Sequence, residues 1–146
     1  MARHLHGHKV TVITSNIAVF DELRGDSAVQ LILLGGMVRR NYQSLVGSLT
    51  EDALQQVSAD RLFLSCTGVR RDGHVVDNMM IEAPARRAMV AAAQSIVLLA
   101  NPSKFPGSGS LRICHLRDVD TVITTGGADE QTLEICRQAG GKVIVA

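Results

Sequence analysis

Aromatic residues are nearly absent from this chain of 146 residues, which has no Trp, one Tyr and three Phe. Stacking platforms for single-stranded nucleic acid or sugar rings are therefore essentially unavailable, and the core has to be aliphatic. A positive charge excess is missing too, since 15 Lys and Arg nearly cancel 14 Asp and Glu. Because binding a polyanion needs a basic surface, this chain alone is not expected to bind DNA.

Cysteine pairs and long apolar runs are also lacking. Cys66, Cys114 and Cys136 are odd in number and show no metal-ligand spacing, which favours free thiols in a reducing compartment. No run approaches the roughly 18 apolar residues that a membrane helix needs, and the first residues do not form a signal peptide. The sequence therefore predicts a cytoplasmic protein with no membrane partner.

Short segments rich in Val, Ile and Leu recur along the chain and predict strands. They are Val10–Thr14, Val29–Leu34, Leu62–Cys66, Ile96–Ala100, Val119–Thr124 and Lys142–Val145. Most are continuous apolar runs, which is typical of strands buried on both faces. Helical patterns between them begin after Asn16, at Thr50, near Pro84 and at Asp129. This alternation predicts one α/β domain with a mainly parallel sheet.

Ligands of such sheets bind where the strands end, so the residues after each strand are candidates. Thr14, Ser15 and Asn16 lead into a helix, where hydroxyls and free N–H groups suit an anion such as phosphate. A plain N-cap also explains them, and spacing alone favours that interpretation. Gly35 and Gly36 either let the backbone approach a ligand or form a turn.

Later strands are followed by further polar segments. The segment Thr67–His74 contains two arginines that could bind phosphate, although a solvated loop is the commoner interpretation. Ser103 and Lys104 combine a hydroxyl with an ammonium, which together can hold a phosphate, but a loop lysine is often only surface charge.

Two further groups could carry chemistry. The carboxylates of Asp129 and Glu130 suggest acid–base work, but an acidic first helical turn explains them better. His4, His6 and His8 alternate as metal ligands on a strand face would, yet exposed terminal histidines are the simpler interpretation. No catalytic triad follows from spacing, and neither a metal nor a cofactor is predicted.

The order of the motifs is more specific than any one of them. They are Val10–Asn16, Leu33–Gly36, Leu45–Gly47, Asp60–Gly68, Glu82–Met89, Ser103–Phe105 and Val122–Thr125. In this order, and from about Ala2 to Val145, the chain resembles the C-terminal sensor domain of DeoR-family transcriptional repressors.

That resemblance implies a Rossmann-like fold shared with ribose-5-phosphate isomerase, with helices on both faces of the sheet. It implies that the domain binds a phosphorylated sugar or related metabolite and thereby changes how a winged helix-turn-helix domain holds DNA. The ligand-binding residues that it implies are Thr14, Ser15, Asn16, Gly35, Gly36, Gly68 and Lys104. Arg86 and Arg87 match a basic pair of the family, or else lie on a solvated helix face.

The sequence departs from the family pattern. The DNA-binding domain, the opening strand of the sensor domain and its Asp-x-Gly-(Ser/Thr)-Thr phosphate loop are not found in residues 1–146, and Asn101-Pro102 stands where the family has an acid. We therefore expect a sensor domain over residues 1–146 that contacts DNA only through another domain. Because a missing strand leaves sheet edges open, we also expect a homo-oligomer.

Two other interpretations stay open. One is a sugar-phosphate isomerase-like enzyme of the same fold, because Gly127–Glu130 matches a tetrapeptide of that enzyme family. The tetrapeptide lies in the wrong place in the chain, so the match is taken as chance and no enzyme is predicted. The other is a chain without autonomous function.

Overall fold

The computed structural model describes all residues, Met1–Ala146, and divides the chain into two compact units. The first is Met1–Val57 and the second is Ser58–Ala146. All six predicted strands are present, four of them with slightly shorter bounds. Each unit is described by itself.

The first unit contains a parallel strand pair and an antiparallel hairpin. Its elements are β1 (Val10–Thr14), α1 (Ile17–Leu23), β2 (Val29–Leu33), β3 (Met37–Arg39), β4 (Ser44–Val46) and α2 (Ser48–Leu54). Strand β1 pairs with β2 in parallel, and β3 pairs with β4 in antiparallel fashion. A 3₁₀ turn, Ala2–Leu5, precedes β1 and packs against α1.

The second unit contains a four-stranded parallel sheet and a three-stranded antiparallel sheet. Its elements are β5 (Leu62–Leu64), β6 (Gly68–Val69), β7 (His74–Asp77), α3 (Ala83–Ala92), β8 (Ile96–Leu99), β9 (Leu111–His115), β10 (Thr121–Thr124), α4 (Glu130–Gln138) and β11 (Lys142–Val145). The parallel sheet has the order β11-β10-β8-β5, and the antiparallel sheet has the order β6-β7-β9.

The core of the second unit is aliphatic, as the shortage of aromatic residues requires. Leu98, Val122 and Leu133 are fully buried and come from β8, β10 and α4. Phe105 is the one aromatic side chain in this cluster. Branched aliphatic side chains from sheet and helix therefore supply the hydrophobic stabilisation.

Three predicted helix starts are confirmed and one is wrong. Asn16 caps α1, Pro84 lies in the first turn of α3, and Asp129 caps α4. Thr50 does not cap α2, because Gly47 with a φ of +96° ends β4 and lets the helix begin at Ser48. Thr50 is instead buried inside that helix.

The antiparallel strands were not predicted, because they are too short or too polar to stand out as apolar runs. The segment Thr67–His74, interpreted as a solvated loop, forms the β6–β7 hairpin, and its turn uses Gly73 at a φ of +88°. The prediction that most strands are buried on both faces is wrong for some of them. Strand β8 is buried throughout most of its length, whereas β2 and β11 expose most of theirs.

The mixed α/β class with a mainly parallel sheet is confirmed, and it is consistent with a Rossmann-like fold. The helices are all too short or too polar to traverse a lipid bilayer.

Candidate functional site

In the first unit, the predicted residues follow two neighbouring strand ends. Thr14 pairs with Leu33 in the parallel register, and the Leu34 N–H donates to the Thr14 carbonyl at 2.9 Å. The segments Thr14–Asn16 and Gly35–Gly36 therefore leave the same edge of the strand pair. This is the edge at which ligands of parallel sheets bind.

The turn from β1 into α1 uses several of its own polar groups. Thr14 Oγ1 accepts a hydrogen bond from the Asn16 N–H at 3.0 Å, and Asn16 Oδ1 accepts one from the Val19 N–H at 3.1 Å. The N-cap interpretation is therefore confirmed for Asn16. The Ser15 hydroxyl and the Asn16 side-chain amide N–H groups form no hydrogen bond inside the protein, and both residues are half-buried.

The two glycines after β2 differ in their surroundings. Thr50 Oγ1 donates to the Gly35 carbonyl at 2.6 Å, which ties α2 to this turn. A Cβ on Gly36 would lie 2.7 Å from the Val46 carbonyl oxygen, and its φ is +145°. Gly36 is thus required by packing and backbone conformation. A Cβ on Gly35 would meet nothing within 4 Å, so only Gly35 leaves space for a ligand against its backbone.

In the second unit, three strands of the parallel sheet end side by side. Strands β5, β8 and β10 are neighbours, and the segments 65–68, 101–104 and 125–127 follow them. A Cβ on Gly127 would lie 4.0 Å from the Pro102 side chain, which places the last two segments next to each other. The predicted residues Gly68 and Lys104 belong to this edge.

Gly68 has a structural reason to be glycine. It is buried, and a Cβ there would lie 2.8 Å from the Ser108 nitrogen and 2.9 Å from the Gly107 Cα. The Gly107 N–H donates to the Val69 carbonyl at 2.7 Å, which holds the two backbone segments together. The close approach of two backbone segments therefore explains why residue 68 is a glycine.

Lys104 ends a short 3₁₀ turn, Pro102–Lys104, after β8. Burial raises the pKa of Cys66 after β5 to about 11, while the charges of Lys104 and Arg86 oppose that rise. The thiol is thus protonated at neutral pH and is a poor nucleophile. Lys104 forms no ion pair within the protein. A half-buried lysine without a counter-ion therefore lies close enough to the end of β5 to act on the Cys66 thiol.

Arg86 forms the charge cluster that sequence reasoning missed. Its Nη1 lies 2.8 Å from Asp77 Oδ2 and donates to the Ser65 carbonyl at 2.9 Å, and its Nη2 lies 3.0 Å from Glu82 Oε2. Asp77 is 1% exposed and Glu82 is 8% exposed. The i,i+4 spacing of Glu82 and Arg86 was the available signal, whereas nothing in the sequence pointed to Asp77.

Asp77 also organises the segment after β5. Its Oδ1 accepts hydrogen bonds from Thr67 Oγ1 at 3.1 Å and from the N–H groups of Asn78 and Met79 at 2.7 and 3.0 Å. Its Oδ2 lies close to Arg86 without the alignment of a hydrogen bond. Asp77 and Arg86 together fix both the Ser65–Thr67 segment and the start of α3.

Arg87 is not a purely solvated residue of α3, because it contacts a neighbouring strand. Its Nε donates to the Arg112 carbonyl at 2.7 Å and so attaches α3 to β9. The two arginines of the family-like pair therefore have different contacts. Arg86 belongs to the buried charge cluster, and Arg87 anchors the helix from its exposed side.

Asp129 and Glu130 do not form an acid–base pair. Hydrogen bonds from the Thr132 hydroxyl and N–H lower the pKa of Asp129, and the hydrogen bond from Arg137 lowers the pKa of Glu130. Both carboxyl groups are ionised and engaged in helix α4. The helix-turn interpretation is confirmed.

The N-terminal histidines do not line one strand face, because the strand begins only at Val10. His6 Nδ1 lies 2.9 Å from Asp26 Oδ2, and its Nε2 lies 3.2 Å from Glu22 Oε1. Both ring nitrogens are thus engaged by carboxylates. No three His, Cys, Asp or Glu side chains are grouped to ligate a metal ion.

Comparison with known proteins gives a family match over most of the chain. The model of the DeoR C terminal sensor domain matches residues 1–126. The L-fucose operon activator of Escherichia coli K12 is 31% identical over 124 residues, which are 85% of this chain and 51% of that protein. The repressor GlcR of Bacillus subtilis is 25% identical and covers 99% of this chain and 55% of its own length.

The regulator GolR of Listeria innocua is 26% identical, covering 100% of this chain and 58% of that protein. The chain thus spans about half the length of the curated relatives it matches. All three are named as regulators of transcription and not as enzymes. The resemblance seen in the sequence is confirmed, and the chain belongs to the DeoR C-terminal sensor domain family.

Proposed function

We propose that this sensor domain binds a phosphorylated sugar or a related metabolite and thereby controls repression of transcription. The observation that carries the proposal is Lys104, a half-buried residue whose ammonium has no counter-ion, at the carboxyl edge of β5 and β8. A phosphate would supply the missing charge and hydrogen-bond acceptors. The name of the L-fucose operon activator supports a sugar-related effector.

The strand-end groups of the first unit are candidates by themselves. We propose that the Ser15 hydroxyl, the Asn16 amide and the open backbone at Gly35 provide ligand contacts at the ends of β1 and β2. Thr14 and Gly36 are then positioning residues, because one caps the turn and the other packs against β4. Gly68 holds the backbone crossing beside Lys104.

The partners follow from the same family membership. We propose that operator DNA is bound by a part of the regulator outside these 146 residues, because the net charge here is +1 and the relatives are about twice as long. The regulator acts in the cytoplasm, where operons are transcribed, and it works as a homo-oligomer. Open edges on β1, β2, β5 and β11 support self-association.

The isomerase-like alternative is not favoured. Its support was the tetrapeptide Gly127–Glu130, whose two carboxylates are engaged by Thr132 and Arg137. The matched family is a sensor domain, and the relatives are regulators. The domain responds to a metabolite by a shift between states and not by turnover.

Thermal melting with a panel of sugar phosphates, each beside its unphosphorylated sugar, tests the proposal. A bound phosphosugar at 100 times its dissociation constant adds about 2.7 kcal/mol to the free energy of unfolding. Lys104→Met should remove most of that gain, whereas Lys142→Met on the exposed edge strand should keep it. Equal responses of both variants, or flat melting curves over the whole panel, would contradict the proposed phosphate contact.

A further inference from the structure

The turn between β3 and β4 forms a small cavity that the candidate site described above does not include. Its lining residues are Arg39, Arg40, Asn41 and Tyr42, and its volume is about 230 Å³. Drug-sized ligands occupy cavities of roughly 300–1,000 Å³, so this cavity suits a single small chemical group. We call it the hairpin-turn cavity.

The shape of the hairpin-turn cavity is set by the backbone of the turn. A 3₁₀ turn covers Arg40–Tyr42, and the Gln43 N–H donates to the Arg40 carbonyl at 3.3 Å. Gln43 adopts a left-handed conformation with a φ of +50°, which returns the chain into β4. The guanidinium carbon of Arg39 lies 4.3 Å from the centroid of the Tyr42 ring, a cation–π contact. Two of the four lining side chains are therefore held in place by the fold.

Arg40 gives this cavity a positive charge that the fold leaves unpaired. Its guanidinium forms no ion pair, whereas Arg3 and Arg24 of the same unit pair with carboxylates of α1. The Asn41 amide and the Tyr42 hydroxyl form no hydrogen bond inside the protein, and all three lining residues are exposed. No carboxylate lines the cavity. A guanidinium, an amide and a phenol together offer hydrogen-bond donors to an oxyanion.

The hairpin turn is attached to the turn from β1 into α1. The Gln43 carbonyl accepts a hydrogen bond from the Ile17 N–H at 2.7 Å, and Asn16 forms an antiparallel bridge with Ser44. Both contacts directly follow the 3₁₀ turn in the chain. The hairpin-turn cavity is therefore anchored to the strand-end segment that contains Ser15 and Asn16.

We propose that the hairpin-turn cavity binds one oxyanion group, a phosphate or a carboxylate, of a small molecule. Arg40 supplies the positive charge and the paired donors of its guanidinium, and Asn41 and Tyr42 supply neutral donors. Because these residues are exposed, binding should be weak and should fall as the salt concentration rises. The site lies in the first unit and uses no contact with Lys104, so it is independent of the phosphate contact proposed there.

Nuclear magnetic resonance titration of the ¹⁵N-labelled full chain with inorganic phosphate, and separately with acetate, tests the site. The amide signals of Tyr42 and Gln43 should shift and saturate, and sodium chloride at matched ionic strength should not reproduce these shifts. Arg40→Gln should weaken binding roughly fivefold, and Tyr42→Phe, which keeps the aromatic ring, should weaken it less. Lys9→Gln, which removes another exposed cation without an ion pair, should leave the affinity unchanged.

The two anions separate the possible sources of the oxyanion. Saturation by phosphate alone assigns the cavity to a phosphate group, and saturation by both anions assigns it to oxyanions in general. Three results would overturn the proposal: no saturable shift with either anion, shifts that chloride reproduces, and equal affinities of Arg40→Gln and Lys9→Gln.

Lys104→Met separates this site from the phosphate contact of the second unit. The variant should keep the shifts at the hairpin turn, whether or not it loses the stabilisation by a sugar phosphate. Loss of the hairpin-turn shifts in Lys104→Met would place the anion in the second unit and so refute the cavity as a site. Circular dichroism of each variant checks that the fold is kept.

Discussion

Arg86 Nη1 lies 2.8 Å from Oδ2 of Asp77, a carboxylate that is 1% exposed. This pair binds α3 to the segment after β5, because the same guanidinium also donates to the Ser65 carbonyl. Taking a carboxylate out of water is costly unless a charge and hydrogen bonds compensate it. The fold of the second unit therefore depends on keeping Asp77 and Arg86 together.

Removing the guanidinium should destabilise the second unit strongly. Arg86→Ala leaves Asp77 as a buried charge without its counter-ion, which should lower the free energy of unfolding by about 3–5 kcal/mol. Chemical denaturation followed by circular dichroism measures this loss. Arg87→Ala on the same helix, which loses one hydrogen bond to the Arg112 carbonyl, should cost no more than about 1.5 kcal/mol. Similar losses for the two variants would contradict the role of the buried pair.

The backbone crossing at Gly68 and Gly107 should tolerate no side chain. A Cβ on Gly107 would lie 2.6 Å from the Gly68 Cα and 2.7 Å from the Lys104 carbonyl oxygen. Gly107→Ala should therefore cost about 1–3 kcal/mol, since the two segments have to move apart. Gly126→Ala is the control, because its Cβ would meet nothing within 4 Å. Its melting temperature should stay at or slightly above that of the original chain.

The hydrogen bonds that hold the N-terminal turn should be strongest within a defined pH range. Hydrogen bonds to Asp26 and then to Glu22 raise the pKa of His6 above 6.5. The Gly7 N–H lowers the pKa of Asp26 below 3.8, and the bond to His6 lowers that of Glu22 below 4.5. The stabilisation of the turn by His6 is complete below pH 6.5 and is lost as the pH rises through the folded pKa of His6. The stabilisation by Asp26 and Glu22 is complete above pH 4.5 and is lost as the pH falls through their folded pKa values.

Amide hydrogen exchange of Gly7, which donates to Asp26 at 2.8 Å, reports on this turn. Its protection should be greatest between about pH 4.5 and 6.5, after correction for the intrinsic pH dependence of exchange. His6→Gln should abolish the loss of protection at higher pH, whereas His4→Gln should not change it. A flat protection profile in the original chain would contradict the assignment.

The thiols should react slowly in the folded protein. Burial raises the pKa of Cys66 to about 11 and that of Cys114 to about 12, and it raises the pKa of the buried Cys136 as well. Because only the thiolate is nucleophilic, little of any thiol is reactive at pH 7. Alkylation with iodoacetamide should be slow in the native chain and fast for all three cysteines in urea. Rapid modification of Cys66 alone at pH 7 would indicate an activated thiol.

The parallel strands could be read from the sequence because continuous runs such as Ile96–Leu99 are what burial selects. The helix caps at Asn16 and Asp129 could also be predicted, since a cap is a local contact over three residues. The antiparallel strands were missed for the opposite reason. Gly68–Val69 pairs with Val75–Val76 through a register that no local pattern encodes.

The turns of the candidate site could be predicted from the sequence, but its buried charge cluster could not. Thr14–Asn16 and Gly35 lie together because adjacent parallel strands end at one edge, which the strand assignment already implied. Asp77, Arg86 and the Ser65 carbonyl meet only through tertiary packing across β5, β7 and α3. For the same reason, the sequence could suggest a ligand role for Gly68 but not its contact with Gly107.

The hydrogen bond from Thr50 to the Gly35 carbonyl couples the position of α2 to the turn after β2. Thr50 is fully buried, so a displacement of the Gly35 carbonyl would have to be accommodated by α2 itself. A change in that turn would then reach Ser48–Leu54 through a single hydrogen bond.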